Sequence, residues 1–220
     1  MPLKNIVPCL LLCAVFILIF TNCASLTGFQ TGRTVGQNNA EVLLSLNASK
    51  TPDFDLDVNQ NDTSDIGSFY FPNFEISGRY GIIEKLDIGA RVNTNANLAL
   101  DGRYQFIGDQ TSPVAVAGGL GIGTFGVFSA LWNVQLPLYF SLHPTESVAI
   151  YINPRYTRQF GTGNLVGRID YLGGNVGVLF GKKVQVGLDA GLHNLGSKYL
   201  EREAILTFGV GVKFQIGLDE

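Results

Sequence analysis

From Asn73 to Asn93 the chain alternates apolar and polar residues on both sides of a short turn. Before the turn Phe74, Ile76, Gly78 and Tyr80 share one face, and Glu75, Ser77 and Arg79 share the other. After residues 81–85, Leu86, Ile88, Ala90 and Val92 lie opposite Asp87, Gly89 and Arg91. A period of two across a short turn is the pattern of a β-hairpin. The polar face carries charges, while the apolar face is wide and almost unbroken. A water-soluble sheet can show this once. A chain that repeats it nearly to its end reads as a closed barrel, apolar outside and polar within.

The repeats run through the chain. Strands are predicted over 40–48, up to Tyr80, from Leu86 to about Thr94, and over 98–106, 113–123, 132–140, 148–157, 170–180, 184–193 and 206–216. The fold class is therefore all-β: a transmembrane antiparallel up-and-down β-barrel of about ten strands, with eight as the alternative. Connections near 83, 109, 144 and 182 are short, as periplasmic turns are, and 50–67 is the longest. Even-numbered strands carry an outward aromatic near the short-turn end: Tyr80, Phe106, Phe140, Phe180 and Phe214. That spacing predicts an aromatic girdle. Leu43 interrupts the polar face of its strand, and the inward positions Ala115, Ala117, Gly119 and Gly121 leave room for bulky neighbours.

Only 15% of the 220 residues are charged, against roughly 25% in soluble domains. The net charge of −3 offers no basic stripe for nucleic acid. All three cysteines, Cys9, Cys13 and Cys23, precede residue 24, which excludes a disulfide framework in the body. The apolar run Ile6–Phe20 after Lys4 has the length of a signal peptide. The expected organisation is a signal peptide over 1–22, a periplasmic tether over 23–39 and the barrel over 40–217. The tether is polar and Gly-rich, and Arg33 within it could reach the lower lumen.

Two resemblances sharpen this reading. Phe20-Thr21-Asn22-Cys23 resembles a lipobox, which implies lipidation at Cys23; Asn22 departs from the usual small residue, and an ordinary secretory signal cut nearby is the alternative. RYGIIEKLDIGARV is similar to the strand-turn-strand unit of bacterial outer-membrane β-barrel proteins. LDGRYQFIGDQTSPVAVAGGLGIG and LPLYFSLHPTESVAIYINPRY resemble later hairpins of small lipid-anchored barrels. Together these imply a Gram-negative outer membrane, outer-membrane lipids as partners, and an N-terminus on the periplasmic side.

For chemistry, His193 followed by Ser197 is a weak echo of a His-x-Ser pair, with no carboxylate placed to orient the histidine. Asp53, Asp55 and Asp57 match the start of an EF-hand loop, but Val58 and Ser64 stand where that loop needs Gly and Glu, so no metal site is expected. No cofactor and no catalysis are expected. The function read is structural or interactive, through outer loops such as 50–67 contacting an extracellular ligand. A narrow channel for small polar solutes and a lipid-active enzyme are the alternatives.

Inward Glu41, Glu75, Asp87, Asp101 and Asp189 balance Arg79, Arg91, Arg103, Arg155 and Lys213. A lumen network of Glu75, Arg79, Asp87, Arg91, Asp101 and Arg103 is predicted, closing the pore. Its expected register sets Arg79 opposite Asp87, Glu75 opposite Arg91, and Arg91 opposite Asp101. Pro137, expected opposite Asn153, and Pro154 cannot donate to a ladder and predict a gap there.

Overall fold

The computed structural model describes residues 26–50, 54–59, 62–66, 70–94, 97–125, 131–161, 168–197 and 203–217. The proposed leader, and Cys23 with it, lies outside them. The described chain holds twelve strands: β1 Asn39–Lys50, β2 Phe54–Asn59, β3 Asp62–Ile66, β4 Tyr70–Ile83, β5 Leu86–Asn93, β6 Asn97–Ile107, β7 Val114–Phe125, β8 Leu131–Thr145, β9 Val148–Gly161, β10 Ile169–Gly181, β11 Val184–Ser197 and β12 Glu203–Gly217. Ten close into an antiparallel barrel, β1 pairing with both β4 and β12. β2 and β3 form a separate hairpin between β1 and β4.

The alternation sorts side chains as period two requires. Leu100, Leu120, Leu172 and Leu188 face outward and are exposed, as are the girdle residues Tyr80, Phe106, Phe140, Phe180 and Phe214. These five stand near the end where the short turns lie. At the other rim Phe74, Trp132 and Phe208 also face outward. All ten charges of the balanced set are buried inside. An apolar exterior around a charged interior is the inverse of a soluble barrel and fits a lipid surround.

The register corrects the sequence reading in three places. Arg79 lies opposite Gly89 and Arg91 opposite Ser77. On the next pair Asp87 faces Arg103 and Arg91 faces Ala99. Pro137 faces Arg155 rather than Asn153. Arg79 pairs with Asp87 diagonally and not in direct opposition. A guanidinium reaches a diagonal neighbour, and Arg79 does so by lying over the bare Gly89, whose Cβ would stand 3.0 Å from its Nη1. The gap predicted at the prolines is present: β8 pairs with β9 through Pro137 and resumes at Phe140, leaving Leu138 and Tyr139 out of that ladder.

The stretch before β1 departs most from expectation. Read as a tether, it instead folds back into the barrel. Gly36 and Asn38, both at positive φ, reverse the chain at the short-turn rim, and the Asn38 N–H donates to the Gly81 carbonyl. From there Leu26, Thr27, Phe29, Gln30, Thr31 and Thr34 are buried in the lumen.

Candidate functional site: the threaded lumen

The lumen is built from two walls and the thread between them. On one wall, Asp87 of β5 accepts from Arg79 Nε at 3.0 Å and from Arg103 Nη2 at 2.5 Å. Arg79 also donates to Asp101 at 2.6 Å, and Arg91 reaches the other oxygen of Asp101 at 3.5 Å. Five of the six residues named for the network thus meet in one ionic cluster across β4, β5 and β6. The sixth, Glu75, lies within the field of Arg91 and accepts from the Thr27 hydroxyl of the thread at 2.6 Å. Arg103 stacks over the Tyr139 ring, 5.5 Å from its centre. Elsewhere Lys213 pairs with Glu41 at 3.1 Å.

The other wall is bare. Gly187, Gly209 and Gly211 of β11 and β12 form a floor on which the Phe29 ring rests; a Cβ on any of them would stand 3.1 Å from it. Leu43, Ala149, Tyr151 and Leu179 complete this socket, and Phe29 has no exposed surface. Leu43, the break in the polar alternation of β1, is thereby explained.

The backbone of the thread is satisfied by side chains around the circumference. N–H groups of Gly28, Phe29, Gly32, Thr34 and Val35 donate to Asp189, Tyr151, Ser141, Gln105 and Asp87. Carbonyls of Thr27, Gln30 and Thr31 accept from Arg155, Asn153 and Arg103. Buried backbone groups need such partners, and here lumen side chains take the place of a ladder. Asp189 also accepts from Tyr151 at 2.7 Å, so carboxylate, phenol and Phe29 N–H form one latch. Gly28 and Gly32 are required by close approach: a Cβ would meet Asp189 Oδ2 at 2.1 Å and the Ala115 carbonyl at 2.2 Å. Between the thread and the ionic cluster, the void bounded by Gly28, Gln30, Arg79 and Arg91 measures about 10 Å³. That is close to the least volume one water needs.

At the short-turn end the lumen opens into a vestibule of about 650 Å³, lined by Arg33, His143 and Lys213 among others. Arg33 donates through Nε and Nη2 to the Ser112 carbonyl, not to the ionic cluster.

His193 is buried, donates to the Leu26 backbone, and leaves Nε2 without a partner. Ser197 is four residues further along the same strand, so the two stand about 13 Å apart, beyond a nucleophile–base contact. Of the acidic loop, Asp53 falls outside the described residues. Asp55 and Asp57 lie on β2, paired with Asp65 and Thr63. An extended, paired strand is not the compact coil of an EF-hand loop. Among the described residues no group of three or more His, Cys, Asp or Glu is placed to hold a metal.

No protein-family model matches the chain. No curated protein matches it. Among solved structures, it is similar to an outer membrane channel from Pseudomonas putida F1, at 9% identity and TM-score 0.46, over 86% of this chain and all of that one. It is also similar to the translocator domain of the autotransporter NalP from Neisseria meningitidis, at 10% identity and TM-score 0.42, over 80% of this chain and 88% of that one. The attachment invasion locus protein Ail of Yersinia pestis aligns at 11% identity and TM-score 0.34, over 82% of this chain and 99% of that one.

Proposed function

We propose that this chain is an outer-membrane β-barrel lipoprotein, acylated at Cys23, with a structural or interactive role and no catalysis. Its lumen is sealed by its own N-terminal segment together with the ionic cluster. The working surface is then the set of outer connections, with 50–67 the longest and an extracellular ligand its candidate partner. The observation that carries the reading is the filled lumen. A wall-to-wall brace whose void beside the thread measures about 10 Å³, room for about one water, supports a closed lumen over a channel. The apolar belt and aromatic girdle support placement in a membrane.

Planar-bilayer recording on the purified, refolded full chain tests this. Insertion without conductance steps is expected. Discrete steps from the unmodified protein would overturn the sealed-lumen reading and favour the channel. The same preparation should release no fatty acid from lipid; release that disappears in His193→Ala would establish the enzyme instead.

A further inference from the structure

The direction of the thread decides where the N-terminus emerges. β11 serves as a ruler, since it rises from Val184 at the short-turn end to Ser197 at the other. Phe29 rests on Gly187, Gly28 donates to Asp189, and Leu26 is bound by His193 and packs with Leu195. Each step back along the thread is a step up the strand. Other strands agree. Thr34 donates to the Glu84 carbonyl in the β4–β5 turn, Gly32 to Ser141, and Leu26 packs against Tyr171 and Ile205 near the far end. The chain therefore enters at the short-turn rim and climbs almost the whole barrel.

Leu195 is two residues from the end of β11, about 7 Å along the strand. Cys23 precedes Leu26 by three residues, a reach of about 10 Å in an extended chain. The way back down is closed at the level of the ionic cluster and the Phe29 socket, where residues 27–30 and their partners fill the lumen above the vestibule. We propose that the mature N-terminus leaves through the outer mouth, so that Cys23 and any acyl chains on it lie on the outer face of the membrane. The strand ends Asn39 and Gly217 stay on the periplasmic side. This replaces the periplasmic N-terminus expected from sequence. It makes the barrel a sheath that carries its own anchor across the membrane.

The proposal rests on the outer-membrane reading, so its test carries a control for that reading. Ser25→Cys is introduced into the full chain, and intact cells are treated with a membrane-impermeant maleimide before and after outer-membrane permeabilisation, beside the parent. Lys183→Cys, in the β10–β11 turn, is the periplasmic control. Equal labelling of Ser25→Cys in intact and permeabilised cells is expected, with Lys183→Cys labelled after permeabilisation alone. Labelling of Ser25→Cys solely after permeabilisation overturns the proposal. Labelling of Lys183→Cys in intact cells would instead overturn the membrane reading or its orientation.

A second measurement does not depend on accessibility or on the membrane. Leu26→Cys paired with Ile205→Cys should cross-link on oxidation, whereas Leu26→Cys paired with Gln105→Cys should not. The reverse pattern, or no cross-link in either pair, overturns the threading itself.

Discussion

The two walls of the lumen hold one segment by opposite means. The β4–β6 wall presents ions, and its hold is electrostatic: Asp87 takes the Val35 N–H while pinned by Arg79 and Arg103. The β11–β12 wall presents missing side chains at Gly187, Gly209 and Gly211, and there its hold is shape, a phenyl ring on a glycine floor, with Asp189 as the one carboxylate it lends to the thread. In low dielectric an ionic wall is intolerant of losing a charge, because the partner is left buried and unpaired. A bare wall is intolerant of gaining an atom, because the space is already taken. The lesson is that both fill a small barrel, but they fail under opposite substitutions.

Substitutions can break this contrast. The largest effect is expected for Asp87→Ala, which leaves two buried guanidinium groups short of a carboxylate; unfolding in denaturant should show a loss of about 3–5 kcal/mol. Asp87→Asn should recover little of it, because shape is kept and charge is not. Arg91→Ala should cost less, about 1–3 kcal/mol, since Arg91 touches Asp101 at 3.5 Å from the edge of the cluster. On the opposite wall, Phe29→Ala should cost about 3 kcal/mol through the cavity it leaves. Gly211→Ala adds one methyl 3.1 Å from the Phe29 ring and 3.2 Å from Leu43 Cδ1, and about 1–3 kcal/mol is expected. If both Gly211→Ala and Phe29→Ala prove neutral while Asp87→Asn is severe, the glycine floor contributes nothing to holding the thread.

The smallest effect lies outside both walls. In the β6–β7 turn Asp109 accepts from the Thr111 hydroxyl and N–H and from Ser112, and these bonds hold its carboxyl well below the usual range. Its folded pKa is depressed relative to an unfolded value of about 4. The turn is therefore fully supported above that pH and loosens as pH falls through the folded value. Protection of the Thr111 and Ser112 amides, measured against open-chain rates at the same pH, should fall in acid while that of lumen amides does not respond.

The barrel was legible because period two with a wide apolar face admits few other folds, and the strands from Tyr70 to Gly217 carry it plainly. The members of the ionic cluster were legible from sign balance on inward positions. Their pairing was not, because side-chain reach across a staggered ladder is a three-dimensional property that direct opposition ignores. The thread is not legible in the sequence because Gly28, Gly32 and the Thr- and Gln-rich residues around them also describe a linker. A signal was present: Gly187, Gly209 and Gly211 leave the inward face of two adjacent strands empty beside Leu43. On β7 the same sign has another cause. Gly119 is covered by Pro137 and Tyr139 from the neighbouring strand, each within about 3.2 Å of where its Cβ would be. Bare inward positions thus announce that something fills them without saying whether it is a neighbour or a distant segment.

Native-state hydrogen exchange on the thread tests the account most directly. The N–H groups of Gly28, Phe29, Gly32 and Val35 belong to no strand, yet each is bonded inside the lumen. They should exchange as slowly as amides of β4 and β11, and Phe29→Ala should release them together while the strands stay protected. Exchange of these amides at open-chain rates in the unmodified protein would contradict the threaded lumen.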